Sequence, residues 1–396
     1  MKFTDFNFHE NVLEGIAASN YEDATPVQEQ VIPLILEGKD IIASAQTGTG
    51  KTAAFLLPLL HRILSDEPQD HHISAMIIVP TRELAVQISE HLEGLSYFTS
   101  VSSIAVYGGG DGNSFVQEKI ALSKGVDIVV CTPGKMISHI NMGYVKLKQL
   151  KYLVLDEADR MLDMGFRDDI MGIINHLPAK KQALLFSATM PPKIRNLAKW
   201  ILRDPAEVNI AIAKPPEKIA QYAYVVHDPQ KAPLLKMLLK SSQFKSIIIF
   251  CAKKQAVKLL AKELQRAGIK AEEIHSDLEQ AKREEVLRGF TSKRIPVLVA
   301  TDILSRGIDV DHIDLVVNYD VPHDGEDYVH RIGRTARAES NGTAFTFIGP
   351  KEHNKFAAIE RLLGKEVSKA TIPEQLGPGP LYNPRTGRPP QNNRRR

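Results

Sequence analysis

The chain has 396 residues, a formal net charge of +3, and 43% apolar and 24% charged residues. That length exceeds one ordinary core and fits two globular domains with a tail, while the mild positive charge neither requires nor forbids a nucleic-acid partner. No apolar run approaches the roughly 20 residues of a bilayer span, and two cysteines, Cys131 and Cys251, exclude a disulfide scaffold or a cysteine-rich zinc site.

Met1 to Glu10 alternates aromatic and polar residues without a continuous apolar stretch. This argues against a secretory signal and predicts an intracellular, cytoplasmic protein. Further on, one rhythm repeats: a short run rich in Ile and Val, a turn, then an amphipathic stretch. The runs of the first half are Asp40–Ser44, Met76–Val79, Asp127–Val130, Tyr152–Leu155 and Leu184–Phe186. Those of the second are Ile247–Phe250, Ala271–Ile274, Val297–Val299, Leu315–Val317 and Ala344–Ile348. Unbroken apolar runs fit parallel strands buried on both faces. Leu84, Ile88 and Leu92, spaced i, i+4, i+8, predict one buried helical stripe. The fold class is therefore α/β, with a mostly parallel sheet flanked by helices in each half. The expected domains are 1–208 and 219–368, joined by a linker at 209–218 that contains Pro215-Pro216. A tail is expected over 369–396. From Arg385 to Arg396 it holds five arginines and no acid, so it reads as a disordered basic arm that contacts phosphate or merely keeps the chain soluble.

In such sheets ligands bind at the carboxyl ends of strands, and the unusual residues lie there. The first run leads into Ala45-Gln46-Thr47-Gly48-Thr49-Gly50-Lys51-Thr52 and a helical stretch from Ala53. This is a phosphate-binding loop: glycines let backbone N–H groups approach phosphates, and the helix N-terminus favours negative charge. Lys51 neutralises the β- and γ-phosphates of ATP, and the Thr52 hydroxyl holds Mg²⁺. Ala45 stands where the general pattern has Gly. Asp156-Glu157-Ala158-Asp159 caps a later strand. An ordinary turn would read the same, but beside a phosphate loop Asp156 is the expected Mg²⁺ ligand and Glu157 the base that orients the attacking water.

With its D-E-A-D quartet, the chain from Phe3 to about Arg337 resembles a DEAD-box ATP-dependent RNA helicase of superfamily 2. The resemblance implies two tandem RecA-like domains, ATP and Mg²⁺ as cofactors, and RNA as partner. It makes Thr25-Pro26-Val27-Gln28 the adenine-reading segment, with Gln28 on the base edge and Phe3 stacked on the ring, although Asn20 and Ala24 replace the usual Gly and Pro. The same four residues also spell a helix capping box. The resemblance assigns RNA-backbone contacts to Pro80-Thr81-Arg82-Glu83-Leu84, Gly108-Gly109 and Thr132-Pro133-Gly134-Lys135, where Lys135 replaces a common Arg. It makes Ser187-Ala188-Thr189 the segment that couples turnover to strand separation.

In the second half it assigns RNA contacts to Gln280, Arg283 and Thr301, and places Asp309 near the ATP ribose. Neighbouring Lys282, Glu284 and Glu285 allow Gln280 and Arg283 to be a plain solvated helix face. His330-Arg331-Ile332-Gly333-Arg334-Thr335-Ala336-Arg337 is densely basic. Arg334 and Arg337, at i, i+3, fit two arginine fingers on one helical face, with His330 as a coupling residue. The first half carries the phosphate loop and carboxylates, the second the arginines, so neither half alone completes the chemistry. A backbone grip reads no sequence, and one that bends a strand separates duplexes locally. A DNA helicase or translocase of the same superfamily, and a non-catalytic RNA-binding scaffold, are the alternative readings. The short C-terminal arm resembles bacterial, RhlE-like members. This resemblance implies work on ribosome assembly or RNA degradation; no membrane association and a monomer are also expected.

Overall fold

Successive residues of each apolar run point to opposite sides of the sheet they form. In strand β1 (Ile41–Ser44), Ile41 and Ala43 join one buried cluster with Ile77, Val130, Val154 and Phe186. Ile42 joins another with Met76, Val129, Leu153 and Leu185. A strand buried on both faces cannot alternate apolar with polar, which is why the runs are continuous. The computed structural model describes residues 1–45, 49–66, 72–109, 112–209, 219–241, 243–301, 313–323, 325–335 and 342–384.

The chain divides into two units, Met1–Ala213 and Lys214–Arg396. In the first, β1 is followed by β2 (Ala75–Ile78), β3 (Ser103–Val106), β4 (Ile128–Cys131), β5 (Tyr152–Leu155), β6 (Gln182–Ser187) and β7 (Ala206–Asn209). Their spatial order is β3-β4-β2-β5-β6-β1-β7, with every pairing parallel. The predicted stripe holds: Leu84, Ile88 and Leu92 are buried along the helix Arg82–Ser96.

The second unit repeats the plan with β8 (Ala220–Val225), β9 (Ile247–Phe250), β10 (Ala271–Ile274), β11 (Val297–Ala300), β12 (Leu315–Asn318), β13 (Thr343–Ile348) and β14 (Ser368–Lys369). Their order is β10-β11-β9-β12-β13-β8-β14, again all parallel.

Each sheet has seven strands, two more than the apolar runs announce. The strands that the apolar runs do not announce are β3, β7, β8 and β14. These lie at or next to sheet edges and mix polar with apolar residues, because an edge strand needs less apolar cover. The tail also starts later than 369. Ser368–Lys369 pairs with β8, the Ala370 N–H donates to the Ala223 carbonyl (2.8 Å), and the Tyr382 hydroxyl donates to Glu360 Oε2 (2.7 Å). Ile372, Leu376 and Tyr382 supply apolar anchors that the arginine-rich end lacks. Residues 385–396, and 210–218 of the expected linker, lie outside the described residues; Asn209 closes β7.

Candidate functional site

The first-unit motifs from Ala45 onward emerge at the carboxyl ends of parallel strands, at one rim of one sheet, while Phe3 and Thr25–Gln28 precede β1. From β1 the chain reaches Ala45, and after 46–48 it resumes at Thr49 and Gly50 before the helix Lys51–Ser65. Gly50 has φ +89, a left-handed conformation that costs glycine nothing. Gln46, Thr47 and Gly48 lie outside the described residues.

Lys51 opens that helix with its side chain 6% exposed, and its Nζ lies 3.8 Å from Asp156 Oδ1. Asp156 follows β5 and is itself buried. Burial pushes its carboxyl up to about 6, against the pull of Lys51. A hard carboxylate oxygen with a costly buried charge suits a divalent cation. Among the described residues no three His, Cys, Asp or Glu side chains converge as a cation cage, so the donor set fits an ion shared with phosphate oxygens and water. Thr52 is half-buried in the first turn of the same helix.

Glu157 is also buried, and it sits in the left-handed region (φ 52, ψ 49) as the N-cap of the helix Ala158–Asp163. That conformation costs a non-glycine residue about 1–2 kcal/mol, and such strain gathers where a side chain must be aimed. The Glu157 N–H donates to Asp156 Oδ1 (2.9 Å), which fixes the turn.

Asp159 ties this turn to the next motif, a role that sequence reading left unassigned. Its Oδ1 accepts from Arg160 N (3.0 Å) and its Oδ2 from Thr189 N (3.1 Å). The Ser187 hydroxyl in turn donates to the Thr189 carbonyl (2.7 Å). The Ser187-Ala188-Thr189 segment after β6 is thus wired to the D-E-A-D turn after β5. The available signal was the fourth letter of the quartet, an acid three residues from Asp156.

Gln28 realises the capping-box reading in full. Its Oε1 accepts from Thr25 N (2.8 Å) at the start of the helix Pro26–Leu36, and its Nε2 donates to the Gly50 carbonyl (3.1 Å). The Thr25 hydroxyl donates to the Thr49 carbonyl (2.8 Å). These bonds brace Thr49 and Gly50 just ahead of the helix Lys51–Ser65. Phe3, expected to stack on the adenine ring, is 3% exposed and stacks on Tyr21, centroids 5.8 Å apart.

Of the expected RNA contacts, Pro80 and Thr81 follow β2, and the Thr81 hydroxyl caps the next helix by accepting from Leu84 N (3.3 Å). The Arg82 guanidinium lies over Gly108 and Gly109; a Cβ on Gly109 would come within 2.0 Å of its Nη1. Thr132 occupies the N-cap position of the helix Pro133–Asn141, which contains Gly134 and Lys135, and makes no side-chain cap bond there. Lys135 does not offer an unclaimed charge. Its Nζ pairs with the buried Glu118 carboxylate (2.9 Å), which His139 Nε2 also meets (3.0 Å), and it stands over the Phe115 ring (5.1 Å).

In the second unit the helix Gln280–Thr291 follows β10, and Thr301 follows the neighbouring β11. Arg283 and Thr301 are both buried at this corner, and Thr301 N donates to the Ile274 carbonyl (3.4 Å). The Gln280 side chain lies outside the described part of the chain, as do Asp309 and Arg337. The helix Gly325–Ile332 stops before Arg334, which sits in the 3₁₀ turn Gly333–Thr335, anchored by the Thr335 hydroxyl on the Ile313 carbonyl (2.6 Å). His330 is buried in that helix. Arg331, counted with the basic cluster by its sequence, is core. Its Nη1 donates to Asn318 Oδ1 (3.0 Å) and the Asp320 carbonyl (3.2 Å), with the guanidinium over Phe250.

Comparison with known proteins places these motifs in context. The DEAD/DEAH box helicase family model matches residues 25–197, and the helicase conserved C-terminal domain matches 230–339. The chain is 44% identical over 373 residues to the ATP-dependent RNA helicase CshA of Listeria monocytogenes, covering 94% of this chain and 71% of that one. It is 41% identical to the DEAD-box ATP-dependent RNA helicase CshA of Geobacillus kaustophilus, covering 94% and 78%. Among solved structures, S. cerevisiae Dbp5 bound to RNA and ADP BeF3 superposes with a TM-score of 0.84 at 30% identity, over 93% of this chain and 95% of that one.

Proposed function

The chain belongs to the DEAD-box family of ATP-dependent RNA helicases, and from that membership we infer that it is an enzyme coupling ATP hydrolysis to the remodelling of RNA. The observation that carries the chemical reading is the buried pair of Lys51 and Asp156, 3.8 Å apart at the rim where β1 and β5 end. A buried ammonium too far from its carboxylate for a hydrogen bond, on the first turn of a helix, is a seat for phosphate.

Lys51 and the backbone of residues 45–52 hold the β- and γ-phosphates. Thr52 and Asp156 would hold Mg²⁺, which when bound supplies charge neutralisation at the phosphates. Glu157, aimed by its left-handed backbone, orients and deprotonates the attacking water. Gln28 supports the loop through Gly50 and keeps a second N–H and a lone pair for an adenine edge. Arg334 and Arg337 act on the γ-phosphate, and Asp309 on the ribose. Pro80, Arg82, Gly109, Thr132, Pro133, Gly134, Gln280, Arg283 and Thr301 grip RNA through its backbone, with Lys135 contributing after exchange from Glu118. Ser187, Thr189 and His330 relay nucleotide state to that grip, Asp159 being the link on the first-unit side.

RNA is the partner, taken with little sequence preference; proteins of ribosome assembly or RNA degradation are further partners, and the enzyme acts as a cytoplasmic monomer. Among the described residues no helix is long and apolar enough to cross a membrane. Single-stranded RNA is expected to stimulate ATP turnover and single-stranded DNA of the same length to leave it near the basal rate. Equal stimulation by DNA would replace the RNA reading with the DNA translocase one. Glu157→Gln is expected to keep ATP binding and lose turnover; full turnover by that variant would exclude Glu157 as the base.

A further inference from the structure

Trp200 is the single tryptophan of the chain, and it is 72% exposed. It lies on the helix Pro192–Ile201, whose Ile194, Leu197, Ala198 and Ile201 are buried against the sheet. None of the motifs above uses it. The helix leads from the carboxyl end of β6 back to the start of β7, so Trp200 sits at the amino end of the sheet, opposite the rim that carries the phosphate loop.

At that end three neighbouring strands begin, β6, β1 and β7. Lys180 and Lys181 precede the first, Lys39 the second and Arg203 the third, while Lys199 adjoins the tryptophan. Burial, then the nearby Arg203 charge, holds the Lys181 ammonium below its usual range, so these two cations lie within reach of each other. Four carboxylates share the region. Glu37 pairs with Lys39 (2.8 Å), Glu207 pairs with Arg195 (3.4 Å), and Asp40 is buried with its oxygens taken by Ala183 N and Arg203 N. Asp204 is the fourth. Against them stand six cations, Lys39, Lys180, Lys181, Arg195, Lys199 and Arg203, and the indole is exposed at the same end of the sheet.

We propose that this face is a second contact site for single-stranded RNA, in which a base stacks on Trp200 and flanking phosphates meet Lys181, Lys199 and Arg203. An aromatic platform set in a basic surface is how proteins hold single strands without reading sequence. Charge decides against a protein partner. A protein hot spot is an apolar anchor in a desolvated ring, whereas Trp200 has Arg195, Asn196 and Lys199 as its exposed helix neighbours. Such a site would tether a longer RNA without touching the ATP chemistry.

Because Trp200 is the sole tryptophan, its emission carries no background from another indole. Full-length protein without nucleotide would be titrated with a 20-nucleotide oligouridylate. Saturable quenching is expected, with a midpoint that weakens several-fold between 50 and 200 mM salt. The combined Lys180→Glu, Lys181→Glu and Arg203→Glu variant is expected to raise that midpoint at least tenfold. Its ATPase at saturating short RNA should stay within twofold of the parent, which also certifies folding. Absent quenching overturns the proposal. So does a midpoint that the three reversals move less than twofold, or quenching abolished by Arg82→Glu while the reversals leave it intact, since the signal would then come from the motif-lined rim.

Discussion

Two lysines at equivalent rims make the most instructive comparison in the molecule. Lys51 in the first unit and Lys231 in the second are both buried near the carboxyl ends of their sheets. Lys51 Nζ has Asp156 at 3.8 Å, beyond hydrogen-bond range. Lys231 Nζ has Asp320 at 3.1 Å, Glu352 at 3.4 Å, Asp228 at 3.6 Å and the Tyr319 ring at 5.6 Å. Two of those carboxylates are themselves tied to the backbone: Asp320 accepts from Ala252 N (2.8 Å), and Glu352 accepts from Val321 N (3.0 Å) and Gly349 N (2.9 Å). Burial alone would lower the Lys231 pKa, but Asp320 and Glu352 more than offset it and the net direction is upward. A saturated buried cation holds strand ends together. An under-compensated one fits the phosphate seat proposed for Lys51.

Exchanging the two roles by mutation gives the largest expected effect. Lys231→Met strands two half-buried carboxylates and should destabilise the second unit by about 3–5 kcal/mol, seen as an early transition in urea, while ATPase below that transition stays within a few-fold. Lys51→Ala should do the reverse, with kcat down on the order of 10²–10³ and little loss of stability. If Lys51→Ala unfolds the first unit as readily as Lys231→Met unfolds the second, the distinction between a tie and a seat is wrong.

Asp156 sharpens the comparison through pH. Its native pKa of about 6 lies above the ordinary 3.8, so the native state holds the proton more tightly than the unfolded one. Its contribution is therefore most favourable below about pH 4, declines as pH rises towards 6, and is constant above. Asp156→Asn does not titrate. The stability of the variant relative to the parent should rise by about 2–3 kcal/mol across that window, measured by urea denaturation at stepped pH without nucleotide. A flat difference would mean that the Asp156 charge is already compensated, and the pair with Lys51 would then resemble Lys231.

The comparison also explains what is legible in the sequence. Positions announced by neighbours along the chain are readable there: the helix start at Lys51, the strand-end turn at Asp156–Glu157, and strands buried on both faces. Residues whose meaning depends on a distant partner are not. Asp159 acquires a role through Thr189, thirty positions away, and Lys135 loses an open charge to Glu118, seventeen positions back. Arg331 reads as part of a basic cluster until Asn318 and Phe250 enclose it. Edge strands such as β3 and β14 escape because their burial is partial, and partial burial imposes no unbroken pattern. Composition likewise places the tail too early, since three apolar anchors suffice to dock a Pro- and Gly-containing strap.

The smallest predicted effect tests whether Arg82 depends on its seat. Gly109 has φ +86, and a Cβ there would stand 2.0 Å from Arg82 Nη1 and 2.4 Å from Cζ. What it would strike is the end of a flexible side chain, so the guanidinium yields and the backbone stays. Contrast Gly15, where the obstacle is the Leu95 carbonyl oxygen at 2.2 Å and no side chain is able to move aside. Gly109→Ala should therefore cost only about 1 kcal/mol of stability, the strain of a left-handed alanine. It should raise the RNA concentration for half-maximal ATPase several-fold and reduce the salt dependence of RNA binding by about one phosphate contact, with kcat at saturating RNA within twofold. An unchanged RNA requirement would show that Arg82 grips phosphate equally well from another rotamer, so that the glycine serves the turn and not the arginine above it.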